Sequence, residues 1–170
     1  MINLRPLSVR DAPAVYQALD SSRDALRRWM VWYRDDYKLS DAEAFIQRAI
    51  DIAAAGSGFH FAMVDATGEV IGVISVEDVN SESRRAMLGY WMATGATGRG
   101  LGRQAVAQAI TWARRQPNIE ALWAIVADAN TASRRVLEIN EFRQVASRGT
   151  DERGDQQLVY ELELRSRSTP

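Results

Sequence analysis

Four glycines fall within the first eleven residues of the stretch MATGATGRGLGRQAV, residues 92–106, before a helix-like pattern begins. Gly98, Gly100 and Gly102 are spaced so that the backbone can take positive φ angles and turn successive amides to one side. Amides gathered at the start of a helix attract an anion, helped by the helix dipole. The stretch therefore predicts a phosphate-binding loop with a pyrophosphate as its ligand.

The loop also contains Arg99 and Arg103, which can add charge-assisted hydrogen bonds to phosphate. Two familiar phosphate motifs do not fit it. A P-loop requires Lys and then Ser or Thr where the chain has Leu101 and Gly102, and a dinucleotide fingerprint requires a third glycine where it has Arg103. A tight strand-to-helix loop without any ligand remains an alternative, since glycine patterns alone are weak signals.

The composition is that of a soluble globular protein with one domain, residues 1–170. Hydrophobic residues make up 46% and charged residues 25%, and 21 basic against 22 acidic residues give a net charge of -1. This balance gives no electrostatic basis for binding nucleic acid or an anionic membrane. The absence of cysteine and the single His60 argue against a metal site. The N-terminus has no signal-peptide pattern, so we expect a cytoplasmic protein.

Hydrophobic periodicity outward from the loop predicts alternating helices and strands in a mixed α+β domain. The pattern SDAE at Ser40–Glu43 fits a capping box, and ATGE fits the turn of a hairpin. The short apolar run Ala121–Ala127 is typical of a buried central strand. The other predicted elements are a strand at Ile2–Ser8, helices at Ala12–Leu19 and Ser21–Tyr33, a strand at Arg85–Ala93, helices at Gln104–Gln116 and Thr131–Ile139, late strands FRQVAS and QQLVYELEL separated by the polar stretch Arg148–Asp155, and a frayed tail at residues 165–170.

Three segments together resemble the GNAT superfamily of acetyl-CoA-dependent N-acetyltransferases. They are GYWMATGATGRGLGRQAV, ANTASRRVLEINEF at Ala129–Phe142 and LRRWMVWYRDDYKLSDAEAFI at Leu26–Ile46. Gly100 and Gly102 match the small positions of the family's Q/R-x-x-G-x-G/A loop, whereas Thr97 replaces the usual Gln or Arg. The tryptophan-containing segment is similar to the RimJ/RimL-type branch, which acetylates protein N-termini.

The resemblance implies a strongly bent, largely antiparallel sheet of six or seven strands with a splayed central pair, flanked by about four helices. It also implies acetyl-CoA as the acetyl donor and coenzyme A as the product. In the family, backbone groups after the splayed strand bind the pantetheine arm, and the loop amides bind the pyrophosphate. Carried onto this sequence, the coenzyme A residues are Met92, Ala93, Thr94, Thr97, Gly98, Arg99, Gly100, Leu101, Gly102, Arg103, Asn130 and Ser133.

The catalytic residues are less well defined by the resemblance. It implies direct attack of a neutral amine on the thioester, with Ser133 placed to stabilise or protonate the departing thiolate. The resemblance does not identify the base. Glu77 and Asp78, at the end of VISVEDV, are the candidates, and we choose Glu77. The alternative is that both acids belong to a solvated strand end. The branch sometimes uses a glutamate shortly after its final GF, but Val145 stands at that place here.

Several polar residues have structural interpretations instead. Asn130 can cap a helix whether or not it also contacts coenzyme A. His60 has no visible partner and Tyr160 lies in the last strand, so both are more typical of structural residues than of a base or an acid. Glu141 replaces the usual glycine before the final Phe, so Asn140 is expected to take the left-handed turn.

The acceptor site is predicted around Trp29, Trp32 and Tyr33, with Trp29 and Tyr33 on the core stripe of a helix and Trp32 off that stripe. Asp35 and Asp36 would favour a cationic amine. The expected acceptor is a protein or peptide N-terminus. A small-molecule amine such as a polyamine, an amino acid or an antibiotic, and a non-catalytic acyl-CoA-binding protein, remain alternatives. The late apolar strands permit a homodimer.

Overall fold

A seven-stranded sheet with helices on both faces carries the glycine loop. The computed structural model describes residues 1–164, so the predicted frayed tail lies outside the described residues. Short 3-10 turns lie at Val9–Asp11 and Thr94–Ala96. The strands and α-helices in chain order are β1 (Ile2–Pro6), α1 (Ala12–Asp20), α2 (Arg23–Trp29), α3 (Leu39–Ala54), β2 (Phe59–Asp65), β3 (Val70–Asn80), β4 (Arg85–Met92), α4 (Leu101–Ala113), β5 (Ala121–Ala127), α5 (Thr131–Ile139), β6 (Arg143–Thr150) and β7 (Gln156–Glu163).

The sheet has the strand order β1-β2-β3-β4-β5-β7-β6, and all neighbouring strands run antiparallel except β4 and β5. The predicted mixed class and the mostly antiparallel sheet are confirmed. Within residues 1–164 there are seven strands, at the upper end of the predicted range, and five α-helices where about four were expected.

The parallel pair β4–β5 is joined only at its beginning. Arg85, Ala86 and Met87 of β4 lie opposite Ala121, Leu122 and Trp123 of β5, and the pairing then stops although both strands continue. Beyond that point each strand presents backbone groups to a gap instead of to its neighbour. The splayed central pair expected from the sequence is therefore present, and its open end points toward the glycine loop.

Two buried clusters hold the helices against opposite faces of the sheet. Val106 of α4 and Leu137 of α5 pack on one face, and Val15 of α1 and Ile46 of α3 pack on the other. Alternate residues of β2, β3 and β4 serve the two clusters, because successive side chains of a strand point to opposite faces. Full burial of one aliphatic side chain contributes about 1.5–3 kcal/mol, so the clusters fix the strands whose ends form the site.

Predicted boundaries of three helices are wrong, and one boundary of each has a local reason. The helix expected to reach Tyr33 ends at Trp29, because Met30 takes an extended conformation with φ -109° and ψ 109°. The cap of α3 lies earlier than Ser40–Glu43, because the Asp41 carboxylate accepts the backbone N–H of Lys38 at 2.8 Å. Helix α4 begins three residues before the predicted Gln104, directly after a left-handed glycine.

The predicted polar connection Arg148–Asp155 is shorter than expected, because β6 continues to Thr150 and pairs with β7. Strand β6 forms the sheet edge, and its residues are exposed on both faces, including Val145. No helix within residues 1–164 combines the length and the apolar character needed to cross a membrane.

Candidate active site

A cavity of about 790 Å³ opens where β4 and β5 separate. One part lies between the two strands and the start of α5, and the other extends across the sheet to α2, α3 and the loop between them. We call these the splay half and the acceptor half. The strand ends Leu88–Trp91 and Ala124–Ala127 line the first, and residues of α2 and α3 line the second. Cavities at strand ends between secondary-structure layers are common ligand sites.

A hydrogen bond between two hydroxyl groups spans the splay. The Tyr90 hydroxyl on β4 lies 3.1 Å from Ser133 Oγ on the first turn of α5. Ser133 is held there because Asn130 caps α5, with its Oδ1 accepting the Ser133 N–H at 3.1 Å. Burial raises the pKa of Tyr90, and the hydrogen bond to Ser133 opposes this shift. Tyr90 therefore remains a neutral phenol that can donate or accept.

A second polar pair lies in the sheet between β2 and β3. His60 Nε2 lies 2.9 Å from Glu77 Oε1, and both residues line the cavity. The His60 side chain is only 5% exposed, and its other ring nitrogen, Nδ1, is buried with no partner among the described residues. The ring of Phe45 on α3 meets the imidazole edge-on, with 5.5 Å between ring centroids. His60 thus has the partner that the sequence did not reveal.

A bulge in β3 separates the two acidic candidates. The register with β4 shifts between Glu77 and Asn80, and Asp78 takes a φ of +50°. Bulges redirect side chains and are frequent beside active sites. Glu77 is left half-buried in the cavity, whereas Asp78 is exposed and does not line it.

The hydrogen bond from His60 holds the pKa of Glu77 below its usual range, and a hydrogen bond from Ser75 adds to this effect. Partial burial works in the opposite direction. The carboxylate is therefore ionised at neutral pH and carries a negative charge into the acceptor half of the cavity.

The glycine loop presents free amides beside the splay. Gly98 and Gly100 have φ angles of +73° and +70°, which favour glycine. Within the described part of the chain, the backbone N–H groups of residues 98–103 meet no acceptor, as expected for a loop that runs into the first turn of a helix. Arg99 and Arg103 are exposed, and neither makes an ion pair with residues 1–164. This arrangement is suited to an anion.

One predicted feature of the loop is wrong. Gly102 does not take a positive φ; it lies inside the first turn of α4 and is buried. A Cβ at this position would lie 3.5 Å from Met92 Sδ and 3.9 Å from the Tyr90 ring, which is ordinary van der Waals contact, so the structure has room for an alanine here. Leu101 is likewise buried in the core, which leaves only its backbone to face a ligand.

The backbone N–H groups of Ala93 and Thr94, which the sequence assigns to pantetheine binding, donate to other residues of the protein. Ala93 N donates to Ile71 O at 2.8 Å, and Thr94 N donates to Ser22 Oγ at 2.9 Å. Their carbonyls accept from residues of the following 3-10 turn, including Thr97. The unpaired edge of β4 lies earlier, after its last pairing with β5 at Met87.

The three aromatic residues predicted at the acceptor site occupy different environments. Trp29 is half-buried and lines the cavity, and the Arg28 Cζ lies 4.2 Å from the centroid of its ring. Trp32 also lines the cavity and is 45% exposed. Tyr33 is buried in the core and stacks on Tyr37 at 6.1 Å, and the cavity lining does not include it.

The predicted role of Asp35 and Asp36 does not fit the structure, because arginines neutralise both. Asp35 accepts two hydrogen bonds from Arg27, at 2.8 and 3.0 Å, and Asp36 accepts one from Arg34 at 3.0 Å. Neither aspartate lines the cavity.

Two other polar positions have structural roles. The buried Tyr160 hydroxyl donates to Glu138 Oε1 at 2.8 Å on the α5 side of the sheet. The left-handed residue after α5 is Glu141 itself, with φ +67°, and not Asn140 as predicted. The Phe142 N–H reaches back to Leu137 O at 3.1 Å, which closes the helix end and favours this conformation.

Comparison with known proteins identifies the family. The model of the acetyltransferase (GNAT) domain matches residues 2–143. YdaF of Bacillus subtilis (strain 168), provisionally named a ribosomal N-acetyltransferase, is 23% identical over 142 residues, which cover 81% of this chain and 75% of YdaF. The resemblance to the GNAT superfamily and its RimJ/RimL-type branch is thereby confirmed.

Two solved structures share the fold. RimL, a ribosomal L7/L12 alpha-N-protein acetyltransferase in complex with coenzyme A, superposes with a TM-score of 0.89 at 20% identity, over 95% of this chain and 93% of RimL. The ribosomal-protein-S5-alanine acetyltransferase of Vibrio fischeri superposes with a TM-score of 0.89 at 17% identity, over 99% of this chain and 96% of that one. At these identities the likeness establishes the fold.

Proposed function

Since the chain belongs to the acetyltransferase (GNAT) family, we propose that it transfers an acetyl group from acetyl-CoA to the N-terminal α-amine of a protein or peptide. The observation that carries this proposal is the apolar rim of the acceptor half. Val31 is 63% exposed and Trp32 is 45% exposed, and both line the cavity. Exposed apolar groups around a cleft are typical of surfaces that bind a larger partner, and a small polar amine needs no such rim. The names of YdaF and RimL support the same acceptor class.

The splay half and the glycine loop, which lies outside the cavity lining, together fit acetyl-CoA. The free amides of residues 98–103, with Arg99 and Arg103, would hold the pyrophosphate. The edge of β4 beyond Met87, which has no strand partner on the β5 side, would bind the amide-containing pantetheine arm. When bound, acetyl-CoA supplies an activated acyl carbon and a thiolate leaving group.

Glu77 is the group that we assign to remove the amine proton. An α-amine has a pKa near ~8, so about a tenth of it is neutral at pH 7. The ionised Glu77 carboxylate attracts the ammonium form and orients the neutral form. A nitrogen that bonds to an acyl carbon becomes a far stronger acid than an ammonium, so a carboxylate with a lowered pKa is still basic enough to take its proton.

Ser133 and Tyr90 form the donor side of the mechanism. If the Ser133 hydroxyl donates a hydrogen bond to the departing sulfur, its oxygen can accept a hydrogen bond from the Tyr90 hydroxyl. The two hydroxyl oxygens already lie 3.1 Å apart. Tyr90 then fixes the direction of the Ser133 hydroxyl. A thiol has a pKa of about 8.5, so this leaving group needs a hydrogen bond more than a strong acid.

We expect Ser133→Ala and Tyr90→Phe each to lower kcat about tenfold, a barrier increase of about 1.4 kcal/mol. Because the two hydroxyls act as a unit, the double variant should lose little more than either single variant. The Kd for acetyl-CoA, measured by calorimetry, should stay within about twofold, since neither hydroxyl contributes to the phosphate site. Tyr16→Phe, which removes a phenol from α1 outside the cavity, is the matched control. Additive losses in the double variant would contradict the paired role.

The proposed acceptor is tested by incubating the purified chain with acetyl-CoA and three amines. These are a peptide with a free N-terminus and an internal lysine, the same peptide with its N-terminus blocked, and spermine. Mass spectrometry with fragmentation locates the added acetyl group. We expect it on the free α-amine alone. Transfer to spermine or only to lysine would contradict the acceptor class, and binding of acetyl-CoA without any transfer would favour a non-catalytic protein.

A further inference from the structure

The charged side chains that line the acceptor half are held by ion pairs or hydrogen bonds to other residues, except for one. Arg28 pairs with Asp155, and Arg34 pairs with both Asp36 and Asp41. Among the lining carboxylates, Glu77 is paired with His60. The remaining lining carboxylate, Asp151, accepts the Gln157 side-chain amide and the backbone N–H groups of residues 153 and 155.

The exception is Arg48. It lines the cavity from α3 and is exposed, and its guanidinium makes no hydrogen bond or ion pair with any residue of 1–164. The neighbouring Tyr37 does not serve as its counterion. Burial, and then the charge of Asp41, raise the pKa of Tyr37 to about 12, so this phenol is neutral at physiological pH. The acceptor half therefore has one positive charge without a fixed negative partner.

Arg48 and the proposed base line the same cavity. Arg48 follows Phe45 by three residues, which places both on one face of α3 with about 5–6 Å between their Cβ atoms. The Phe45 ring contacts His60, and His60 binds Glu77. Glu77 and Arg48 thus present a negative and a positive charge to the same cavity, with Phe45 and His60 between them. The complementary ligand carries an ammonium and, at a separate position, a carboxylate.

We propose that Arg48 selects acceptors with an acidic side chain at the second or third residue from the acetylated amine. This inference rests on the proposed function and adds a sequence preference to it. An extended chain advances about 3.3–3.6 Å per residue, so we assign the acidic side chain to the second or third residue, far enough from the amine to pass His60 and Phe45. A guanidinium binds a carboxylate through two parallel hydrogen bonds, and partial enclosure strengthens the pair relative to open water. A polycationic amine such as spermine would instead be repelled.

The test compares peptides that differ only by Asp or Asn at position 2, 3, 5 or 6. For the wild-type protein we expect kcat/KM to be about tenfold higher with Asp at position 2 or 3, through KM, and equal at positions 5 and 6. In Arg48→Gln the ratio of kcat/KM for the Asp peptide to that for the Asn peptide should fall to about one. In Arg48→Glu a peptide with Lys at position 2 or 3 should become a better substrate than the Asp peptide. Free aspartate, included as a separate acceptor, shows whether the amino-carboxylate pattern suffices without a peptide.

The matched control is Arg115→Gln, which removes another exposed arginine that lies outside the cavity and should keep the preference. A second readout is the Kd of the same peptides for the protein saturated with coenzyme A, measured by calorimetry, because this does not depend on turnover. An Arg48-dependent difference in Kd without acetylation would support the selectivity and overturn the proposed function. Acetylation with equal kcat/KM for the Asp and Asn peptides would overturn the selectivity alone. A preference for Asp that Arg48→Gln leaves unchanged would do the same.

Discussion

Gly100→Trp is expected to raise the Kd for acetyl-CoA at least about 100-fold, a loss of about 2.8 kcal/mol in binding free energy. A Cβ at Gly100 meets no atom of the described structure within 4 Å, so the indole has room on the protein but occupies the space beside the free amides of the loop. The same amides can then no longer surround a pyrophosphate. Calorimetric titration of wild type and variant with acetyl-CoA measures the change.

The control for this variant must carry the same backbone strain. Gly100 has φ +70°, where a side chain costs about 1–2 kcal/mol. Gly56, after α3, has φ +69° and equally open surroundings, and it does not line the cavity. Gly56→Trp should therefore lose similar stability in thermal unfolding yet bind acetyl-CoA normally. Equal affinities of Gly100→Trp and wild type would show that the loop is only a structural turn.

Glu77→Gln is expected to lower kcat/KM by about 10²- to 10⁴-fold, the usual contribution of a general base. The amide has nearly the shape of the carboxylate and its oxygen can still accept the His60 hydrogen bond, but it cannot take a proton. Asp78→Asn is the matched control, since Asp78 is exposed next to Glu77 and Asn tolerates its positive φ. Steady-state kinetics of both variants with a peptide acceptor decide between the two acids. Full activity of Glu77→Gln, or its loss in Asp78→Asn, would remove Glu77 from this role.

The pH profile gives an independent check of the same residue. The hydrogen bond from His60 lowers the pKa of Glu77, so the acidic limb that reports this carboxylate lies below the separate decline of kcat/KM that protonation of the amine causes near pH ~8. His60→Leu removes the hydrogen bond but leaves the burial that raises the pKa of Glu77. The acidic limb of kcat/KM should therefore move to higher pH in His60→Leu. An unmoved limb would mean that another group controls it.

The parts of the fold that could be predicted from the sequence are those that depend on local pattern. The apolar run Ala121–Ala127 and the Asn-initiated helix Thr131–Ile139 match β5 and α5 residue for residue. Their signals are strong because a buried strand and a capped amphipathic helix each follow from neighbouring residues. The glycine loop was recognisable for the same reason, since Gly98 and Gly100 mark left-handed positions that other residues avoid.

The parts of the site that could not be predicted depend on contacts between distant segments. Tyr90 and Ser133 are 43 residues apart, and no local pattern shows that their hydroxyls meet across the splay. His60 and Glu77 face each other only because β2 and β3 pair in one register, and the bulge that follows Glu77 has no sequence signature of its own. Arg48 resembles any solvated helix arginine until the cavity wall and its paired neighbours are known.

The most direct test is a crystal structure of the protein with a bisubstrate analogue, in which the sulfur of coenzyme A is joined through an acetyl linker to the α-amine of a peptide with Asp at position 2. We predict that the pyrophosphate contacts the amides of residues 98–103, the linker lies between Glu77 and Ser133, and the peptide runs along Trp32 toward Arg48. An analogue bound with its peptide outside the cavity, or with its pyrophosphate away from the glycine loop, would contradict the proposed N-terminal acetyltransferase site.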